Sequence, residues 1–310
     1  MNIFTTDFFF SIIRIATPIL FATLAAVIGE KGGVSNIGLE GIMMMSALFG
    51  SLSAYWTKSW LIGLLAAMCV GLIESLVMGF FAFNLRTDII LTGTAINMIG
   101  SGGALFLVKV ITGQASTTAL ITKALQIPSI HIPLIRQIPI IGKIISGHSL
   151  LTYLAFIFVW LTYVLLYKTP LGLNIRSVGE NPNAASSVGV SVSKIRYITI
   201  GIGGVLAGMG GAFMSMYYAM GWSQDMVAGR GFIALAAQSM GGGEPVGSML
   251  AALIFGFAQA LGIKVSATGV DSNLVAPIPY IVTIISLVIF ALAQRRKEKQ
   301  RHSAAAVQKS

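Results

Sequence analysis

The chain has 310 residues, of which 55% are hydrophobic and only 10% charged, and its mean hydropathy is +0.86. A water-soluble domain carries about 25% charged residues, so an ordinary soluble globular protein is excluded, and continuous rather than alternating apolar runs disfavour a β-barrel. The formal charge of +10 fits basic loops on the cytoplasmic side of a membrane better than nucleic acid, which is not expected as a partner.

Apolar runs of about 20 residues, the length of a helix that crosses a bilayer, recur along the chain. The N-terminal MNIFTTDFFF has no basic region and no evident cleavage site, and reads as the start of a retained helix. A first span is predicted over 8–28, with Arg14 and Pro18 inside it. GEKGGVSNIGLEG (29–41) follows, placing two acids, a lysine, an asparagine and five glycines between apolar runs. Lipid-facing helix does not tolerate that mix, because unpaired polar groups in hydrocarbon are costly. It predicts a broken helix.

A short helix is predicted over 37–52, with Tyr55, Trp56 and Trp60 as an interfacial belt. Spans over 61–83 and 89–111 are joined by NLRTD. Residues 112–148, with Pro128, Pro133 and Pro139, read as an extramembrane loop. A span over 150–167 leads into a polar connection, 168–196, and then a glycine-rich span over 197–218. The run 232–240 is too short to cross and precedes GGGEPVG (241–247), a helix over 248–262 and a last span over 279–293. The expected class is all-α: a polytopic membrane helix bundle of about eight spans with broken or re-entrant helices.

Lys168, Arg176, Lys194 and Arg196, and the tail QRRKEKQR, place those segments and the C-terminus in the cytoplasm, and 112–148 outside. The side of the N-terminus stays open. The expected layout is a transmembrane domain over 1–296, with its extracytoplasmic loop at 112–148, followed by a basic cytoplasmic tail over 297–310. The two glycine-broken segments, one in each half, hint at a structural duplication.

Several chemistries are missing. There is no G-x-x-x-x-G-K-[ST], no HExxH and no CxxC, and Cys69 is the single cysteine. No metal site, no bound cofactor and no catalytic constellation are expected, so the chain does not read as an enzyme. Gly201, Gly204, Gly208 and Gly211, with Ser215, are spaced 3, 4, 3 and 4 and share one helical face; small residues there predict close helix packing. Among the intramembrane polar residues Asn36, Glu40, Glu74, Asn97, Lys109, Gln238 and Gln259, the residues Asn36, Glu40, Asn97 and Gln259 are the candidates for lining or supporting a pathway. Glu40 also fits a purely structural role in the first turn of a helix. In LGLNIRSVGENPNAASSVGVSVSKIRY, Asn181-Pro182 and Gly189 bracket a short, small-faced helix, suited either to an ordinary loop or to capture by another protein.

GEKGGVSNIGLEG, TAIN (94–97), IRSVGENPNAASSVGV (175–190) and GRGFIALAA (229–237) resemble, in the same order, the permease subunits of bacterial ABC importers. The branch resembled includes ribose and branched-chain amino acid permeases, and in particular nucleoside-uptake permeases that work with a basic-membrane-protein type lipoprotein receptor. The resemblance runs from about residue 8 to about residue 296. It implies a bacterial cell-membrane protein that translocates nucleosides, or alternatively a simple sugar or another small polar metabolite. It also implies a second homologous permease, an extracytoplasmic substrate-binding lipoprotein and an ABC ATPase subunit that uses ATP and Mg. It makes 174–190 the coupling helix region, with Arg176, Gly179, Glu180, Pro182, Ala184, Ala185 and Gly189 matching the pattern. Glu244 departs from it, since relatives commonly carry an aromatic or polar residue there. A secondary transporter or channel, the alternative class, would need ion-coupling acids and would leave 174–190 unexplained.

Overall fold

In the computed structural model the described residues are 5–113, 117–118, 125–131 and 141–266, with single positions at 281, 285 and 288. Apart from those three positions, the predicted span over 279–293 and the basic tail lie outside the described residues. Among the described residues six helices are long and apolar enough to cross a membrane. The expected count of about eight spans is not confirmed among these residues.

The first helix, α1 (Thr6–Lys31), begins where the Thr5 side chain accepts from the Phe8 amide, and it runs through Pro18. It is followed by α2 (Leu39–Thr57) and by α3 (Trp60–Gly79), which continues in a π-helical turn over Phe80–Asn84. Asp88 caps the next crossing, made of α4 (Ile89–Met98), a π turn (Ile99–Gly103) and α5 (Ala104–Thr112). After the short α6 (Ile141–Ile145), Ser149 caps α7 (Leu150–Lys168).

The polar connection contains two helices, α8 (Pro170–Glu180) and α9 (Pro182–Ser187). Then come α10 (Val192–Phe213) with a π turn (Met214–Tyr218), α11 (Arg230–Met240) and α12 (Pro245–Ser266). Among the described residues the extended structure is an antiparallel ladder of two-residue strands, β1 (Thr117–Thr118) against β2 (Trp222–Ser223), and an isolated antiparallel bridge between Ser129 and Ser149.

Burial separates inner from outer helices. In the most apolar windows of α1 and of 192–218, 83% of residues are buried, against 22% over 89–112. The inner pair therefore forms the core, and the outer helices present apolar side chains such as Leu91, Phe106 and Trp160 outward, as lipid contact requires. The glycine face of α10 sits in this core. Gly204 lies against Gly71 and Ser75 of α3, Gly208 against Ala67, Gly211 against Met43 of α2, and Gly201 against Leu72. A Cβ at Gly208 would come to 2.5 Å from the Ala67 carbonyl oxygen, so the helices meet backbone to backbone.

The ends of the bundle follow from these contacts. Lys31, Asn84, Tyr167 and α8–α9 cluster at one end, and we call it the basic end after Lys31, Arg86, Lys168, Arg176, Lys194 and Arg196. The start of α1 packs at the other end, where Phe8, Ile12 and Ile15 meet Ala260 of α12.

Candidate functional site

The break between α1 and α2 is shorter than its sequence suggests. Gly29, Glu30 and Lys31 are helical, and only Gly32–Gly38 leaves the helix. The chain folds back tightly: the Val34 amide donates to the Gly29 carbonyl at 2.9 Å, and Gly33 has φ +68°, a left-handed conformation that glycine adopts without strain. Asn36 is buried, its Oδ1 accepts from the Gly38 amide at 3.1 Å, and its Nδ2 has no hydrogen-bond partner.

The helix that restarts there, α2, has glycine at its N-cap and so no side chain of its own to cover its first amides. Asn97, on α4, performs that task from outside. Its Oδ1 accepts from the Gly41 amide at 2.8 Å, and its Nδ2 donates to the Ile37 carbonyl at 2.9 Å. One side chain thus satisfies a donor and an acceptor freed by the break.

A second junction repeats the device. α11 also starts on glycine, Gly229, with φ +76°. Its first amides point at Glu40, in the first turn of α2: Gly229 donates to Oε1 and Gly231 to Oε2, each at 2.7 Å. Gly231 has no Cβ to keep the two helices apart; one placed there would lie 2.5 Å from the Glu40 amide nitrogen. Two helix N-termini therefore converge on one carboxylate, the sign of charge that their dipoles favour.

Beside this junction Arg230 is buried, and its Nη1 donates to the Met226 and Val227 carbonyls at 3.2 and 3.0 Å. Its guanidinium lies 5.5 Å from the Tyr218 ring centre. Arg14 reaches the same tyrosine from α1, with Nη2 donating to the Tyr218 carbonyl at 2.9 Å and the guanidinium 4.9 Å from the ring centre.

Of the four pathway candidates, the structure brings Asn36, Glu40 and Asn97 together around the break. Gln259 is apart from them, on α12 next to Ala260 and towards the far end. Glu74 is half-buried on α3, with one carboxylate oxygen lacking a partner, and Lys109 is exposed near the end of α5. Replacing Asn97 by alanine leaves the Gly41 amide and the Ile37 carbonyl without partners. A loss of about 2 kcal/mol is expected, read as a lower unfolding midpoint of the detergent-solubilised protein.

At the basic end the connection 168–196 forms a helical protrusion. Thr169 and Pro170 start α8 as cap and first residue, and Asn181 and Pro182 start α9 in the same way. Ala185 is buried with Ile175 and Val178, whereas Ala184 is exposed and Val188 at the tip is 79% exposed. Gly189 follows with φ +86°. The protrusion rests directly on the break: a Cβ at Gly33 would come within 3.1 Å of the Gly179 Cα, and one at Gly179 would collide with the Lys31 carbonyl.

A polar cluster joins the same elements. Lys31 pairs with Glu244 at 2.9 Å, and the Tyr167 hydroxyl donates to the Glu244 carboxylate at 2.6 Å. Arg176 lies 4.9 Å from the Tyr167 ring centre and donates from Nε to the Leu166 carbonyl. Glu244 belongs to the turn between α11 and α12, so this cluster ties both breaks to α8.

Burial acts to raise the Glu244 pKa. The Tyr167 hydrogen bond and the Lys31 ammonium outweigh it and hold the carboxyl below its usual range. The stability this adds is fully present above the unfolded carboxylate value, about 4.3, and is lost as pH falls through the lower folded value. The Glu244 side chain is 50% exposed, which limits the pair to about 1 kcal/mol or less. Glu244→Gln is therefore expected to lower the unfolding midpoint slightly at pH 7. The difference from the parent should disappear once the medium is acidified past the folded carboxyl pKa.

Sequence reasoning missed α8, although Thr-Pro at 169–170 carried the same start signal as Asn-Pro at 181–182. It also missed the Arg14–Tyr218–Arg230 stack and the partners of Glu244. These depend on contacts between residues far apart in the chain, for which a single sequence holds no local signal.

Six helices long and apolar enough to cross a membrane, packed on a glycine-lined core, describe a multi-pass membrane protein, and the family comparison makes it a permease. Residues 8–293 match the model described as branched-chain amino acid transport system / permease component, and the chain belongs to that family. It is 38% identical over 287 residues to the guanosine ABC transporter permease protein NupQ of Bacillus subtilis, covering 89% of each chain. It is 36% identical to the nucleoside ABC transporter permease protein NupC of Lactococcus lactis, again over 89% of each. A putative glucose ABC transporter permease, TsgC13 of Haloferax volcanii, is 30% identical over 81% of this chain and 75% of its own. No solved structure matches the chain.

Proposed function

We propose that this chain is one of the two permease subunits of an ATP-driven importer and carries nucleosides across the bacterial cell membrane. The observation that carries the substrate class is the similarity, over nearly the whole chain, to permeases named for guanosine and nucleosides. The glucose permease at 30% identity keeps a simple sugar as the second reading.

In this reading the basic end faces the cytoplasm, because basic loops are retained there, and the C-terminal tail lies on that side. The start of α1 then faces outward. The protrusion 174–190 docks in a separate ATPase subunit, which holds ATP and Mg. A second homologous permease completes the pathway, and an extracytoplasmic lipoprotein delivers the substrate. Support for docking at α9 comes from its exposed small residues, Ala184 and Ser187, and from the exposed Val188 beyond them. Movement of α8 would be felt at Gly33 through Gly179, and at the turn before α12 through Tyr167 and Glu244. From Gly33 it would pass along the break to Asn36, Asn97 and Glu40. Coupling of this kind requires elements with two discrete arrangements, and the two trans-capped junctions supply places where one helix start can part from its cap.

The test is uptake by proteoliposomes containing the permease pair, the ATPase and the receptor. Labelled guanosine should accumulate only with ATP, and excess unlabelled nucleoside should compete while glucose and leucine do not. Competition by glucose alone would establish the sugar reading instead, and accumulation driven by an ion gradient without ATP would refute both.

A further inference from the structure

We propose that the cavity between α1 and α12, at the end remote from the protrusion, is a binding station for a nucleoside on its way to the broken-helix junction. The inference rests on the nucleoside reading above and adds the place and the residues. The cavity has a volume of about 410 Å3, within the usual range of small-molecule sites, about 300–1,000 Å3. Asp7, Ser11 and Arg14, which share one face of α1, form one wall; Ile263 and Lys264 of α12 form the other, and Tyr218 closes the inner end.

The polar groups are unequally committed. Arg14 is already engaged with the Tyr218 carbonyl and with the rings of Tyr217 and Tyr218, at 5.6 and 4.9 Å. Ser11 donates to its own helix, at the Asp7 carbonyl. Among the described residues neither the Asp7 carboxylate nor the Lys264 ammonium forms a salt bridge, and they stand on different helices lining one space.

A carboxylate there accepts from hydroxyl or ring N–H groups, and an ammonium donates to a carbonyl or ring nitrogen. Ile263 supplies apolar wall. An uncharged ligand that offers donors and acceptors on a flat apolar body is compatible with this set; a carboxylate facing an ammonium would also hold a zwitterion, and the similarity to permeases named for guanosine and nucleosides selects a ribose diol joined to a heterocyclic base. A simple anion would meet Asp7, and a simple cation would meet Lys264 and Arg14.

The position also fits passage. Tyr218, the inner wall, contacts Arg230, and Arg230 adjoins Gly229, whose amide Glu40 caps. The cavity is thus one side chain removed from the trans-capped start of α11.

The experiment uses the whole transporter, without receptor, in nanodiscs. It carries Ser11→Cys in a Cys69→Ser background, so that one engineered thiol reports on the cavity. A membrane-impermeant maleimide should label this thiol, and saturating guanosine should slow labelling at least fivefold. Adding Asp7→Asn or Lys264→Gln should raise the guanosine concentration needed for protection at least tenfold, while leucine and glucose give no protection. Failure of the free thiol to label, absence of guanosine protection, or protection by leucine instead would overturn the site. If the Cys69→Ser parent still imports guanosine in that event, only the site is lost. If the parent imports no nucleoside, the functional reading itself fails.

Discussion

Exchanging Glu40 for glutamine is expected to reduce uptake at least tenfold and to destabilise the protein by about 2–4 kcal/mol. The carboxylate accepts the Gly229 and Gly231 amides through separate oxygens. An amide side chain has a single acceptor oxygen and would turn its NH2 group towards the second helix amide. Charge-assisted hydrogen bonds of this type contribute about 1.5–3 kcal/mol each, and an amide left buried without a partner adds its own desolvation cost. The favourable interaction of an anion with two helix N-termini is also lost. Uptake in proteoliposomes and the unfolding midpoint of the purified variant measure the two effects. Full uptake at an unchanged midpoint would show that the cap is dispensable.

The second large effect is expected at Gly179. Valine there would overlap the Lys31 carbonyl, and the α-carbon to which it is attached already faces Gly33. Backbone atoms on both sides cannot yield by a rotamer change, so α8 must shift away from the end of α1. The exposed surface of α9, which includes Ala184, is untouched. Gly179→Val should therefore keep the ATPase subunit bound, as seen by co-purification, while ATP-dependent uptake falls more than tenfold. Loss of the ATPase together with uptake would instead mean that α8 only shapes the docking surface. Bulky replacements at Ala184 provide the contrast, because they should weaken ATPase association first.

The sequence made the class of fold readable because its evidence is local. Apolar runs show in composition, the break at 29–41 shows as glycines and charges inside an apolar region, and Asn181-Pro182 announces a helix start. What the break does was harder to read. Glu40 sits in the first turn of α2, as helix rules suggest, yet its carboxylate serves α11, 189 residues later in the chain. Asn97 was legible as a polar residue at membrane depth, but its task as cap for Gly41 and Ile37 depends on how α4 crosses α2. Gln259 carries the same chemistry as Asn97 and lies elsewhere, which shows that residue type at depth does not locate a side chain.

The glycines of α10 were readable for the converse reason: their spacing is itself the geometry. Lys31 and Glu244 are separated by 213 residues, and nothing in either neighbourhood announces the other.

The π turns fix where the chain can change length. In α10 the Ala219 amide reaches back five residues, to the Met214 carbonyl at 2.9 Å, so this turn holds one residue more than an α-helical turn. Deleting a single residue from Met214–Tyr218 would let the turn close as an ordinary α turn, and the helix on either side would keep its facing. The same deletion earlier in α10 has no such outlet. It would turn everything beyond it by about 100° around the helix axis, swinging Tyr218 away from Arg14 and Arg230. The residue count between Val192 and Phe213 is therefore a property of the transport machinery, although an apolar helix one residue shorter would still be long enough to span.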